Sequence, residues 1–244
     1  MCDHCGCGEP VAHVHAAGPR EIAVGERLLA DNDHAAAHNR AHFAARRLLA
    51  VNVMGTPGSG KTALLEATIR AAAGRWRVAV VEGDQATARD SARIRAVGAP
   101  AVQVETGLGC HLDAHQVHDA LHALPALDAD LLFIENVGNL VCPALFDLGE
   151  GLRVVVTSPT EGADKPRKYP PMFRAADVVV LNKTDLLPHL PFDLAEWREH
   201  LAAVTRRDPT IVARVWPVAE AFMAMVLLDQ LMMHYGYRAL WAKD

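Results

Sequence analysis

Eight consecutive residues, Gly55-Thr56-Pro57-Gly58-Ser59-Gly60-Lys61-Thr62, satisfy the phosphate-binding pattern G-x-x-x-x-G-K-S/T without a mismatch. Residue type dictates what such a stretch can do. Gly55, Gly58 and Gly60, with Ser59 between them, let successive backbone N–H groups turn inward on a phosphate chain. Lys61 offers an ammonium to the outer phosphates and Thr62 a hydroxyl to Mg²⁺. A glycine-rich turn that merely precedes Lys-Thr is the alternative, and the flanks argue against it. The apolar run Leu48, Leu49, Ala50, Val51, Val53, Met54 enters the motif, and Ala63, Leu64, Leu65, Ala67, Ile69 leave it at helical spacing. A buried strand, a tight loop and a helix N-terminus together make the setting in which a phosphate is bound.

A second kind of chemistry belongs to the thiols. Cys2, Cys5 and Cys7 form a C-x-x-C-x-C cluster with Gly6 and Gly8 relaxing the backbone around it, dense enough to wrap one soft or borderline cation. If Met1 is removed, the freed amine of Cys2 completes an N/S square plane suited to Ni(II) or Cu(II); recruiting His4 instead gives a tetrahedral Zn²⁺ site. An oxidisable, disordered tail is the competing reading. Cys110 and His111 fall between the strand predicted at 101–105 and the next helix, and Cys142 follows the strand at 131–134. Both strand ends leave the sheet at one edge, so a Cys/His/Cys set can gather there; a buried free cysteine is the plain alternative for either thiol.

Two carboxylates and an N-K-x-D element complete the inventory. Asp84 follows the strand at 77–81 and Glu135 the strand at 131–134, and ligands of α/β sheets collect at such carboxyl ends. Glu135 stands where a metal-directed carboxylate is expected, Asp84 within reach of Mg²⁺ or of an attacking water, and Gly138 in a loop that has to approach a γ-phosphate. Asn182-Lys183-Thr184-Asp185 ends the strand at 178–181. Asp185 can accept hydrogen bonds from the guanine N1–H and exocyclic amine, and adenine cannot reciprocate because its ring N1 is itself an acceptor. The nucleotide implied is GTP.

The elements that must position these groups alternate as strand and helix. A chain of 244 residues, 51% hydrophobic, buries a full core and fits one α/β domain with an appendage. Its formal charge of −5 and its lack of a basic, aromatic-rich stripe exclude bulk attraction to nucleic acid. A polar N-terminus, and Asp229 and Gln230 interrupting the apolar stretch at 221–233, point to a soluble cytoplasmic protein with no membrane span. Five cysteines in a reducing compartment speak for metal or reactivity over disulfides. Residues 11–20, with His13 and His15, read as a linker, and 21–47 as a helix carrying His34, His38 and His42 at i, i+4, i+8. That face either binds metal or is the solvated side of a helix packed on the domain. A helix at 87–97, strands at 101–105 and 154–156, a polar loop at 157–162 followed by Lys165, Arg167 and Lys168, a helix at 194–206, a strand at 212–218 and a helix at 219–234 complete the prediction. The expected fold is a P-loop α/β domain over 21–244, a mostly parallel sheet flanked by helices and preceded by an N-terminal helix, with residues 1–20 a flexible, metal-binding extension.

The combination resembles a known family. Cys2-x-x-Cys5-Gly6-Cys7, the loop at 55–62, Cys110-His111-Leu112-Asp113, Glu135-Asn136-Val137-Gly138-Asn139-Leu140-Val141-Cys142-Pro143, Glu161-Gly162 with Asp164-Lys165-Pro166, and Asn182-Lys183-Thr184-Asp185 are similar to the HypB family of hydrogenase nickel-incorporation GTPases. The resemblance implies a GTPase of the SIMIBI class that dimerises with GTP, binds nickel or zinc, and supplies nickel to a nickel-iron hydrogenase large-subunit precursor together with a small HypA-type partner. It also implies a nickel site at Cys2, Cys5 and Cys7 and a second metal site at Cys110, His111 and Cys142. The chain departs from the family where a Ser-Ala-x-Thr-Gly-like element usually follows the last strand; here the stretch reads Val215-Trp216-Pro217-Val218-Ala219-Glu220-Ala221-Phe222. The competing functions are a urease-accessory-type nickel GTPase, a small-molecule P-loop kinase, and a metal-storage protein with a vestigial nucleotide site.

Overall fold

A computed structural model describes residues 19–84, 89–107, 109–124 and 128–205. The N-terminal Cys2, Cys5 and Cys7, the linker histidines, and the strand and helix expected beyond 206 lie outside the described residues.

The chain begins with a long helix, α1 (Pro19–Ala45), and then alternates: β1 (Leu49–Gly55), α2 (Lys61–Ala72), β2 (Val78–Asp84), α3 (Arg89–Ala96), β3 (Ala101–Glu105), α4 (Ala114–Ala123) and β4 (Leu131–Glu135). β5 (Leu152–Thr157), α5 (Lys165–Lys168), α6 (Pro170–Ala175), β6 (Val178–Leu181) and α7 (Leu194–Val204) follow. The strands form one six-stranded sheet, all parallel, in the order β3-β2-β4-β1-β5-β6. β1 therefore lies inside the sheet, between β4 and β5, and its carboxyl end opens at the point where the strand order reverses. Ligands of open α/β sheets bind at such points.

Period-two alternation divides the core. Leu49, Val51 and Val53 of β1, Val78 and Val80 of β2, and Leu131 and Phe133 of β4 pack with Leu65, Ile69 and Ile94 from α2 and α3. Their neighbours in sequence, Ala50, Ala79, Val81, Leu132 and Ile134, turn to the opposite face and meet Phe43 of α1 and Val117, Ala120 and Leu121 of α4. A third cluster gathers Val155, Leu181, Phe173, Trp197 and Leu201 beneath β5 and β6. Parallel strands covered on both faces read as continuous apolar runs, which is how the sequence presents β1, β4 and β6.

Two buried asparagines dock α1. Asn39 Nδ2 donates to the carbonyls of Ala114 (2.8 Å) and Leu148 (3.1 Å), while Asn32 donates to Asp147 O (2.8 Å) and accepts from Ala114 N (2.9 Å). α1 is thereby tied to the start of α4 and to the turn before β5.

Several segments differ from the sequence reading: α1 begins at Pro19, inside the expected linker, and ends at Ala45 rather than at 47, and α7 ends at Val204 rather than at 206. β2 continues through Asp84, so Glu82 stands inside the strand and not beyond it. β5 runs from Leu152 to Thr157, longer than expected at both ends. The polar stretch after it is compact: Pro159–Glu161 forms a 3-10 turn closed by a Ser158/Glu161 capping box, and α5 follows at once. Lys168 pairs with Asp164 at 2.5 Å and Lys165 lies 5.2 Å from the Tyr169 ring centre, so two of its three basic side chains are held within their own turn.

Candidate nucleotide and metal site

The loop between β1 and α2 wraps as the motif requires. Gly60, the residue before α2, sits at φ 95°, and a Cβ there would run into the Asn182 amide. Gly55 sits at φ 147°, and its missing side chain leaves room for the Val156 carbonyl of β5. Lys61 is buried with its Nζ over the carbonyls of Gly55 (3.3 Å) and Thr56 (3.2 Å); burial lowers its pKa, against the pull of Glu135. Thr62 Oγ1 donates to Glu135 Oε1 at 2.8 Å, so the helix start and the β4 end are joined by a buried hydrogen bond.

Strand register brings a second carboxylate beside the first. Glu82 of β2 is the Cα partner of Glu135 of β4, and in parallel strands such partners project from one face. Both are buried. Burial, then the neighbouring Glu135, pushes the Glu82 carboxyl up to about 8. Burial pushes Glu135 up to about 7, although the Lys61 ammonium and the Thr62 hydroxyl pull the other way. One oxygen of each, Glu82 Oε2 and Glu135 Oε2, is buried without a hydrogen-bond partner. Two adjacent buried carboxylates with orphaned oxygens are a donor set that fits a hard divalent cation. Asp84 lines the same cavity of about 400 Å³, with Pro57, Gly58, Lys61, Thr62 and Gly138 around it.

The N-K-x-D element grips the phosphate loop from the other side. Asn182 Nδ2 donates to Ser59 O at 2.9 Å, its Oδ1 accepts from Lys183 N at 2.9 Å, and Lys183 Nζ donates to Gly58 O at 2.6 Å. Lys183 takes the left-handed conformation, φ 56°, which sends its side chain back over the loop. Asp185 lies in the first turn of the 3-10 helix Thr184–His189 that follows and is exposed.

Cys110, His111 and Cys142 do come together. The two Sγ atoms are 2.7 Å apart, His111 Nδ1 is 3.5 Å from Cys110 Sγ, and the ligand atoms of all three lie within 4.8 Å of one another. The His111 ring stacks on Phe146 with centres 3.9 Å apart, which fixes its orientation. Burial lowers the His111 pKa, while the hydrogen bond to Cys110 and then burial raise that of the Cys142 thiol. A neutral imidazole beside two thiols, partly exposed, is a ligand set for Zn²⁺ or Ni²⁺ that loses protons as metal binds.

Residues 135–142 connect the two sites. The Asn139 backbone bridges Gly55 of the phosphate loop, and its side chain donates to Cys142 Sγ at 3.8 Å and accepts from Val141 N at 2.8 Å. Gly138 packs so closely on the loop that a Cβ would come within 2.7 Å of Pro57 Cγ. Upstream, Asn136 Oδ1 accepts from the backbone of Leu112 (3.0 Å) and of Val137 (3.0 Å), which draws the Cys110-His111 turn against the β4 end. Asn136 is held in turn by Asn52 (3.3 Å), and Asn52 donates to Glu150 (3.1 Å).

Sequence reasoning did not assign a role to Glu82, Asn52, Asn136 or Glu150. The signal for Glu82 was available: Val78-Ala79-Val80-Val81-Glu82 places a charge on the face occupied by Val78 and Val80. Asn52 interrupts an apolar strand in the same way. The partnership of the four depends on register between strands distant in sequence, which no local pattern reveals. Asp90 and Arg93 of α3 also line the cavity, where Arg93 is tied to Glu66 (2.7 Å) and Asp90 (3.0 Å).

Comparison with known proteins agrees with this geometry. Residues 49–212 match the model of the CobW/HypB/UreG nucleotide-binding domain. The hydrogenase maturation factor HypB of Azotobacter vinelandii is 57% identical over 190 residues, which cover 77% of this chain and 63% of that protein. The chain thus spans under two thirds of that relative's length. Among solved structures, HypB from Helicobacter pylori in complex with nickel aligns with a TM-score of 0.78 at 36% identity, covering 84% of this chain and 97% of that one. The hydrogenase maturation factor HypB from Archaeoglobus fulgidus aligns with a TM-score of 0.76 at 37% identity, over 83% and 100% respectively. With the phosphate cradle, the parallel sheet and the Cys-His-Cys cluster in place, these likenesses assign the chain to the HypB family of hydrogenase maturation factors.

Proposed function

We propose that the chain is a slow, Mg²⁺-dependent GTPase that carries nickel to a nickel-iron hydrogenase large-subunit precursor in the cytoplasm, acting as a GTP-dependent homodimer with a HypA-type partner. The observation that carries this reading is the continuity of residues 135–142. Glu135 holds Thr62 beside the phosphate loop, Asn139 bridges Gly55, and Cys142 lies against Cys110. A nucleotide-dependent change at the first two moves the third.

The chain's own groups divide the work. Gly58, Ser59 and Gly60 present backbone donors to the phosphates, and Lys61, poorly solvated in its buried position, gains from an anionic partner. Thr62, Glu82 and Glu135, with Asp84 beside them, are the groups that would hold Mg²⁺, whose role is to neutralise charge developing on the phosphates. Asp185 accepts from guanine, and Asn182 and Lys183 keep the base loop fixed to the phosphate loop. Among the described residues no glutamine lines the cavity and Arg93 is tied to Glu66 and Asp90, and catalysis by positioning of this kind gives turnover of about 10⁻⁴ to 10⁻² s⁻¹. Cys110, His111 and Cys142 supply three ligands for Ni²⁺ or Zn²⁺ per chain, and exposed Val141 and Leu145 beside Cys142 form an apolar surface on which a second copy can complete the shell. The segment ahead of α1 is a separate metal-binding tail through Cys2, Cys5 and Cys7, and the nucleotide domain follows it.

The test is hydrolysis and mass measured together. Wild-type protein should hydrolyse GTP in preference to ATP and dimerise with a non-hydrolysable GTP analogue. Equal use of ATP and GTP, with a monomer in every nucleotide state, would reject the reading.

A further inference from the structure

A second group of ligand-type side chains lies away from the sites above. α1 carries His38 and His42, and α4 carries His118 and His122. Spacing of four residues puts each pair on one helix face, one turn apart. The two faces meet, because α1 packs along α4 and the buried Asn32 and Asn39 fix their relative position.

The four rings form a contiguous group. Ring centres are 4.9 Å apart for His38 and His118, 4.7 Å for His118 and His122, 6.3 Å for His42 and His118, and 6.5 Å for His42 and His122. His118 Nε2 and His122 Nε2 approach to 3.1 Å, while the Nδ1 atoms of His42 and His118 are buried with no hydrogen-bond partner. His38 and His122 are exposed and His42 and His118 half-buried, so the stack is a surface group and not part of the core. It buries polar nitrogens that other imidazoles cannot all satisfy, since two neutral rings share one proton per contact.

A metal ion would supply what these nitrogens lack. At a metal–nitrogen distance of about 2.0–2.1 Å, the ion lies about 3.2 Å from each ring centre, and ligand rings at about 90–109° have centres about 4.5–5.2 Å apart. Two of the observed separations fall in that interval. The two involving His42 exceed it by a little over an ångström, so the site is not preformed as the Cys110/His111/Cys142 cluster is, and His42 must rotate about its side-chain bonds to ligate. Burial first, then Arg46 and the neighbouring imidazoles, lowers the His42 pKa; burial, His122 and His38 lower that of His118 against Asp119. Neutral rings are the form that ligates.

We infer that His38, His42, His118 and His122 form an all-nitrogen site for a borderline divalent transition-metal ion of the Ni²⁺ or Zn²⁺ class, pinning α1 to α4. The donor set contains no thiol, so the site is chemically distinct from the Cys110/His111/Cys142 cluster and does not depend on the proposal made for it. Its position has a consequence for that cluster, since α4 begins three residues after His111.

Ni²⁺ is the probe. The full chain is compared with His38→Ala/His42→Ala and His118→Ala/His122→Ala double variants, counting bound Ni²⁺ per chain by equilibrium dialysis and following thiolate-to-nickel absorption in the same samples. Each double variant should lose one equivalent of Ni²⁺ while the thiolate absorption and GTP hydrolysis stay at wild-type levels. Should an alanine pair lose GTP hydrolysis through misfolding, His118→Gln/His122→Gln, which keeps side-chain volume and hydrogen bonding, must show the same loss of one equivalent. Unchanged stoichiometry in the folded variants overturns the inference. So does a parallel fall in thiolate absorption, which would mean that the histidines act only through the cysteine cluster.

Discussion

The phosphate cradle and the Cys110/His111/Cys142 cluster lie at the same end of the sheet but are assembled by opposite means. The cradle is local: residues 55–62 are contiguous, and their conformation follows from glycine placement and the start of α2. The cluster is borrowed from two segments 32 residues apart, and it exists because Asn136 accepts from Leu112 N while Asn139 approaches Cys142. A local site tolerates changes elsewhere in the fold. An assembled one inherits every adjustment of its supports, which is useful if its ligand is to be released on a signal.

That contrast can be broken from either side. The largest effect is expected at Lys61. Lys61→Ala should abolish measurable GTP hydrolysis, since the proposed function gives its ammonium the principal role toward the phosphates, yet leave metal binding by Cys110, His111 and Cys142 intact in the nucleotide-free protein. Measured hydrolysis equal to wild type would remove the cradle from the mechanism.

Next in size is Asp185→Asn. Two hydrogen bonds to a charged acceptor, each worth about 1.5–3 kcal/mol, are lost with guanine, so GTP affinity should fall by two orders of magnitude or more. Xanthosine triphosphate should gain, because the new amide can donate to its carbonyl. Competition binding reads both.

On the cluster side, Cys142→Ser removes one soft ligand and should weaken that metal site by at least the ~10–100-fold seen when mere supporting residues are lost. GTP hydrolysis should persist, as Cys142 lines no part of the cavity.

Asn136→Ala tests the support itself. It leaves the Leu112 and Val137 N–H groups and the Asn52 Oδ1 without their Asn136 partner, while Asn52 Nδ2 keeps its bond to Glu150, at about 1–3 kcal/mol for each buried group in unfolding free energy. Metal affinity should fall although every ligand remains. Denaturant melts and Zn²⁺ titration of the same sample separate the two effects.

The smallest effect is expected for Deletion of residues 1–8, which should remove one nickel equivalent through Cys2, Cys5 and Cys7 and leave hydrolysis unaltered. Calorimetric titration with Ni²⁺ checks it.

The same contrast explains what the sequence revealed. β1, β4 and β6 were legible as apolar runs, and the cradle and the base loop as motifs, because each is encoded by neighbours in the chain. Cys110 and Cys142 could be placed at one sheet edge from strand ends alone. The strand expected at 77–81 in fact runs on through Asp84 and so contains Glu82, and Asn52, Asn136 and Glu150 acquire meaning only from the β2-β4-β1 order. The histidines of α1 were visible as a face. Their counterparts on α4 were not, since helix packing is not written in either helix by itself.

The central claim is that the nucleotide and the assembled metal cluster are coupled through residues 135–142. The most direct measurement is Zn²⁺ and Ni²⁺ affinity of the chain lacking residues 1–8, determined in the GDP state and with a non-hydrolysable GTP analogue. The account predicts that the two states differ by about 5- to 150-fold at the Cys110/His111/Cys142 site, with the reciprocal change in nucleotide affinity when metal is present. Identical metal affinities in the two states would contradict it.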